Sequence, residues 1–156
     1  MTAKPPSASF TETVHVVLPN DANPLGFILG GTVMHLIDMA GAMAALRHAR
    51  VPIVTASVDD LQFLHPIKVG DLILLRARVN AAFTTSMEVE VEVFSEETLT
   101  GARQMTSRAF LTFVTVDKDG HRHPVPPLKV ETEEERQRAE AAKARRVDRL
   151  RRRETN

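Results

Sequence analysis

One acid stands inside an otherwise apolar helical stretch. Between Val33 and Leu46 only His35 and Asp38 can ionise, and their neighbours are apolar or small nearly all round. A helix with that pattern is buried rather than amphipathic. An Asp there costs stability unless a hydrogen bond or an opposite charge meets it. A residue kept at such a cost is a candidate general base or nucleophile. The plainer account is that a nearby hydroxyl or backbone group satisfies it, or that it sits at a solvated interface. The same stretch opens on Gly30-Gly31. Backbone amides at a helix start carry partial positive charge and have no side chain in the way here. They suit a developing oxyanion, although a Gly-Gly pair is also an ordinary turn.

Other chemistries are poorly supplied. There is no G-x-S-x-G elbow, phosphate-binding P-loop or H-E-x-x-H pair. With zero cysteines, a catalytic thiol, a disulfide framework and a zinc–thiolate or iron–sulfur site are excluded. His121 and His123 fall in a turn without further ligands, so no metal site is expected. His15, His48 and His65 are scattered and read as surface or satisfied core residues.

The elements that must position Asp38 follow from periodicity. Phe10 to Leu18 reads as a strand and Pro19 to Leu29 as a loop. Gly30 to Ala49 reads as one helix of roughly 30 Å. Strands are expected over Ile53 to Phe63, Leu72 to Val79, Met87 to Phe94 and Arg103 to Val116. The last is closed by the Asp117-Lys118-Asp119-Gly120 turn. Met87, Val89, Val91 and Val93 alternate with Glu88, Glu90 and Glu92, so the sheet is expected to have one apolar face for the helix to cover. Arg76 and Arg78 would then meet glutamates across an antiparallel pair, on a face expected to be exposed. The small residues Ala40, Gly41, Ala42, Ala44 and Ala45 allow another element to approach closely.

The chain has 156 residues, enough for one core. Residues 1–9 read as a disordered segment, 10–128 as the folded domain and 129–156 as a charged helix. Within 131–156 stand nine Lys/Arg and seven Asp/Glu, acids first and arginines last, as the helix dipole favours. The Arg145–Arg153 run reads as a solvated helix end, with an acidic surface or RNA as the sharper alternative. Net charge is zero and aromatics are 4%, which argues against nucleic acid as a partner. No stretch is long and apolar enough to span a membrane, and the first ten residues have no signal-peptide pattern. The expected location is cytoplasmic.

In order and spacing, Asn23-x-x-Gly26-x-x-x-Gly30-Gly31-x-x-Met34-x-x-x-Asp38 is followed by Ile53 to Asp59 and by Phe63-x-x-Pro66-Ile67-x-Val69-Gly70-Asp71. Thr85 to Val89 and Ala109 to Val114 come next. This set resembles the cytosolic and brain acyl-CoA thioester hydrolases of the hotdog fold, over roughly residues 8–128. The resemblance implies an α+β hotdog fold, an antiparallel β-sheet wrapped around one long central helix, here with a polar C-terminal helix added. It implies dimers joined sheet edge to sheet edge, hexamers built as trimers of dimers, and sites shared between subunits.

The resemblance assigns Asp38 as general base or nucleophile, with Asn23 of a partner subunit orienting the water or the carbonyl. The Gly31 amide becomes the oxyanion donor, and Gly30 lines the substrate site. Coenzyme A is expected along the strand from Thr55 to Asp59, at Ser57, Val58 and Asp59, with Thr85 and Ser86 as polar contacts. The acyl chain would run past Met34 and Met39. Neither a metal nor a further cofactor is needed, coenzyme A being part of substrate and product. Two rivals stand beside this reading. A hotdog acyl-thioester hydratase would use a His, and His35 is one turn from Asp38. A non-catalytic acyl-CoA-binding regulator would bind the ligand without turnover.

Overall fold

The computed structural model describes residues 1–155. The expected helix forms with the expected ends, as α1 (Gly30–Ala49). Leu29 caps it without a side-chain hydrogen bond. Arg50 ends it in the left-handed conformation, its amide donating to the Leu46 carbonyl at 2.7 Å. Five strands follow the sequence pattern: β1 (Thr11–Val16), β2 (Ile53–Phe63), β3 (Leu72–Ala82), β4 (Ser86–Glu96) and β5 (Arg103–Thr115). They form one antiparallel sheet in the order β1-β3-β4-β5-β2. The sheet curls around α1, burying Val33, Ile37, Ala40, Ala44 and Ala45 against Leu75, Val89, Val91, Leu111 and Phe113.

The small residues of α1 have a steric reason. A Cβ on Gly41 would lie 3.2 Å from the Phe113 ring and 3.4 Å from Val91. The sheet therefore approaches the helix as closely as backbone and ring allow.

Three expectations change. First, residues 1–9 are packed rather than disordered. Pro6–Ala8 form a 3₁₀ turn, Ser9 is fully buried, and the Lys4 amide donates to the Pro127 carbonyl while its ammonium donates to the carbonyl of His48. Apolar Pro6 and the pairing of Lys4 with the 127–129 segment supply what composition alone did not reveal.

Second, the outer face of the sheet is covered. The C-terminal helix α2 (Glu133–Glu154) lies on it, burying Ala139 and Ala142. Glu88 and Glu90 are consequently 1% and 4% exposed instead of solvated. Arg145 meets Glu88 through Nε and Nη2 at 2.7 and 2.8 Å, Asn80 donates to both glutamates, and the Arg145 guanidinium stacks 3.7 Å from the Phe110 ring centre. The expected register of Arg76 with Glu92 and Arg78 with Glu90 is present, and Arg78 bonds Glu92 diagonally at 3.0 Å. The helix starts with a capping pair: the Thr132 hydroxyl accepts from the Glu135 amide, and the Glu135 carboxylate accepts from the Glu131 amide.

Third, α1 is not enclosed on all sides. Met39, Met43 and Leu46 are 37–45% exposed and stand on one uncovered face, while Met34, 49% exposed, lies in the first turn on the side of Asp38. The helix is apolar all round, yet a single chain covers only part of it. Beside that face β2 is an edge strand with exposed Val54 and Val58.

Candidate active site

Asp38 is half-buried on α1, facing β2. The Thr55 hydroxyl donates to Asp38 Oδ1 at 2.6 Å, the short distance of a charge-assisted bond. That bond commits one carboxylate oxygen and fixes the plane of the other. The sequence reading places Thr55 at the start of the coenzyme A strand but does not pair it with Asp38. The signal was a polar side chain inside a strand at α1 level, which alternation alone cannot distinguish from a surface threonine.

The helix start lies eight residues away, about 12 Å of rise. The Leu29 carbonyl accepts from the amides of Thr32 and Val33. The first two amides, of Gly30 and Gly31, have no intrahelical acceptor. A Cβ at Gly31 would meet nothing within 4 Å, so no other side chain crowds the helix start at that position.

Asn23 is held by the loop that leads into α1. Its Oδ1 accepts from the amides of Leu25 and Phe27 at 3.0 and 3.2 Å, and its own amide donates to the Phe27 carbonyl. Gly26 completes that turn at φ +86°, a conformation that suits glycine. The side-chain NH₂ of Asn23 has no protein partner among the described residues. It borders a largely apolar pocket of about 280 Å³ that Phe27, Gly30, Val33, Phe63 and Ile67 also line. Asp38 does not line that pocket. Within one chain, Asn23 and Gly30 are brought together and Asp38 stands apart with Thr55. The expected acyl path past Met34 and Met39 is no enclosed groove here, because both are exposed and they stand on different sides of α1.

A second cleft, of about 580 Å³, opens between the outer face of the sheet and α2. Ser57, Thr85 and Ser86 all line it. Asp59 sits beside it, with Arg149 and Arg152 at 3.5 and 3.7 Å. Val58 pairs with Leu111, on the opposite side of the sheet. A bulge explains the arrangement. Thr55 pairs with Phe113 and Ser57 with Thr112, leaving Ala56 as the extra residue. Thr55 therefore faces α1, while Ala56 and Ser57 both face the cleft.

The turn at Asp117 closes on itself. The Asp117 carboxylate accepts from the amides of Asp119 and His121 and contacts the His123 ring at 2.9 Å. Those bonds hold its carboxyl below the ordinary carboxylate value, the amide of His121 acting most. His48 is buried, with Nε2 2.8 Å from the Pro126 carbonyl. Burial lowers its pKa below 6.5.

A five-stranded antiparallel sheet around one helix, with a carboxylate on that helix and open amides at its start, defines a hotdog-fold thioesterase. The chain belongs to the thioesterase superfamily, whose family model matches residues 25–102. It is 43% identical over 119 residues to an uncharacterized acyl-CoA thioester hydrolase, YkhA, of Bacillus subtilis, covering 76% of this chain and 69% of that protein. It is 36% identical over 146 residues to the human cytosolic acyl coenzyme A thioester hydrolase, covering 91% of this chain. The chain spans only 38% of the length of that human protein.

Among solved structures, an apo-hexameric acyl-CoA thioesterase superposes with a TM-score of 0.92 at 42% identity, covering 97% of each chain. The acyl-CoA hydrolase of Staphylococcus aureus, solved with butyryl coenzyme A and coenzyme A, gives 0.83 at 35% identity over 98% of each chain. That hydrolase has also been solved with an Asn, an Asp and a Thr each replaced by Ala. The three stand 15 and 17 residues apart, the same spacing as Asn23, Asp38 and Thr55.

Proposed function

We propose that this protein hydrolyses acyl-CoA thioesters to free fatty acid and coenzyme A. The observation that carries the reading is the Asp38 carboxylate, oriented by Thr55 on a helix whose first amides are open. Relatives named as acyl-CoA thioester hydrolases support the class.

Asp38 Oδ2 takes a proton from a water while the water oxygen bonds to the thioester carbonyl carbon. Negative charge builds on the carbonyl oxygen, and the Gly31 amide stabilises it. Collapse of the tetrahedral intermediate breaks the C–S bond, and the proton held by Asp38 goes to the departing sulfur. Direct attack by Oδ2 is the second route for the same groups. It breaks the C–S bond, expels coenzyme A as the thiolate and forms a mixed anhydride, which water then cleaves to the fatty acid and the free Asp38 carboxylate.

The Asn23 amide group orients the water or the carbonyl from a partner subunit. Two features support a site shared between copies. Asn23 and Asp38 border different places in one chain, and the apolar face of α1 beside the free edge of β2 is uncovered. The protein accordingly works as a homodimer assembled into a hexamer. The reaction calls for neither a metal nor a further cofactor.

Free-thiol release from a panel of acyl-CoAs, short to long, tests the proposal. Wild type is expected to release thiol, and Asp38→Asn to lose about 10²- to 10⁴-fold in kcat. A folded wild type that releases none from any member of the panel overturns it.

A further inference from the structure

We infer that Asp71 is a positioning residue for the reaction: its carboxylate fixes the turn before β3 on which the Asn23 loop rests, and so sets where the Asn23 side chain points. The inference rests on the thioesterase reading, in which Asn23 serves the Asp38 of a partner subunit. It adds a residue to the Asn23 half of that site.

Asn23 stands near the tip of a tight loop. Ala22 and Ile28 bridge across it, the Leu29 amide donates to the Asp21 carbonyl at 2.9 Å, and the Gly26 amide donates to the Asn23 carbonyl at 3.0 Å. Oδ1 of Asn23 is spent on the Leu25 and Phe27 amides, so whatever moves this loop moves the NH₂ group with it. The place of the loop in the molecule is set by residues 67–69. The Ile28 amide donates to the Ile67 carbonyl at 2.8 Å, and the Val69 amide donates to the Gly26 carbonyl at 3.0 Å. Between those two bonds Phe27 faces Lys68 as a non-hydrogen-bonded antiparallel pair. The amide and carbonyl of Lys68 therefore both point away from the loop. Pro66 and Ile67 also wall the pocket that Asn23 borders.

What meets them is Asp71. Its amide donates to the Lys68 carbonyl at 3.0 Å, closing a turn with Gly70 at φ +93°, as the third position of a type II turn requires. Its Oδ2 accepts from the Lys68 amide at 3.1 Å. Asp71 and Lys68 thus bond each other twice, once through the main chain and once through the carboxylate. On its other side the turn is tied to the sheet. The Val17 amide donates to the Asp71 carbonyl and the Gly70 amide to the Val17 carbonyl, both at 2.9 Å, and Leu72 opens β3 opposite Val16. From the sheet to the Asn23 loop the chain of contacts is main chain to main chain except at the Asp71 carboxylate. Without that acceptor the Lys68 amide is released and the support under Phe27 can shift. A shift of an ångström or less is enough to spoil the aim of a group that orients water or carbonyl.

Steady-state thiol release and subunit mixing test the inference. Asp71→Ala is expected to lower kcat about 3- to 10-fold, the worth of one hydrogen bond, with KM nearly unchanged. Asp71→Asn keeps an acceptor for the Lys68 amide and is expected to recover most of that loss. Mixing reads which half of the site is affected. Refolded with Asp38→Asn, the Asp71→Ala chain supplies an intact Asp38 and its partner an intact loop, so about a quarter of wild-type activity or slightly more is expected. Refolded with Asn23→Ala, whose loop is already disabled, it is expected to give no more than about half of the activity that Asp71→Ala shows alone at equal total protein. The reverse pattern of mixing overturns the inference, as does an unchanged kcat in Asp71→Ala or an equal loss in Asp71→Asn. These results leave the activity standing. A wild type that releases no thiol overturns the activity, and the inference with it.

Discussion

The Thr55 hydroxyl and the Asp38 carboxylate stand 2.6 Å apart, hydroxyl donating, and they come from different elements. The bond ties the edge strand to the middle of the helix. It leaves Oδ2 as the free oxygen of the carboxylate. A general base needs that kind of restraint, since catalysis depends on where its lone pair points as well as on its basicity.

Removing this donor should therefore cost rate rather than fold. Thr55→Val is expected to lower kcat about 10- to 100-fold, the equivalent of one charge-assisted hydrogen bond. Thr55→Ser, which keeps the hydroxyl, should recover most of the loss. Steady-state kinetics on both variants checks the pair, and equal losses in the two would mean that the methyl group matters instead.

Complementation tests the sharing of sites between subunits. Asn23→Ala and Asp38→Asn should each be nearly inactive alone. After joint refolding, half of the dimers are mixed and one of their two sites carries both native residues, so about a quarter of wild-type activity is expected. A site built within one chain would regain nothing.

Gly41 sets the distance between helix and sheet. Its missing Cβ would stand 3.2 Å from Phe113, which is fully buried and closely packed. Gly41→Val should destabilise by about 1–3 kcal/mol through overpacking. Urea unfolding would read this as a lower midpoint with little change in slope.

The buried Arg145–Glu88 pair anchors α2. Arg145→Met would strand the Glu88 carboxylate, which is 1% exposed, with only Asn80 to meet it. A loss of about 3 kcal/mol is expected. Adding Glu88→Gln removes the stranded charge and should return part of that loss in the same unfolding assay.

His48 gives the fold an acid limit. Burial depresses its pKa in the folded chain below 6.5, so the unfolded chain binds the proton first as pH falls. Its contribution is fully present above about pH 6.5. It is lost as pH falls through the folded value, and levels off below that. The stability of His48→Gln should change less than that of wild type between pH 7.5 and pH 5, measured by chemical denaturation at each pH.

Much of this architecture was legible in the residues. The long run of apolar and small residues from Gly30 to Ala49, with Pro52 just beyond, and the twofold alternation of Met87 to Val93 set the helix and the central strand almost to their ends. Asp38 stood out because a charge in an apolar helix is physically anomalous. Three things were hidden. Glu88 and Glu90 read as a solvated face because alternation reports which residues share a side, not what lies on it. Lys4 and Pro6 are ordered by contacts more than forty residues away. The Arg145–Arg153 run has the composition of a free helix end, and only its placement over Ser57, Thr85 and Ser86 makes a cleft of it.

Parity along β2 is a matter of counting. Because Ala56 is the extra residue, Asp59 falls on the arginine side and Val58 on the helix side. Were the pairing regular from Thr55 onward, those two would trade places. A second carboxylate would then enter the neighbourhood of Asp38, and Arg149 would lose its counter-charge. The separation of the acid bonded by Thr55 from the acid that braces a cation thus depends on one alanine with no functional group of its own.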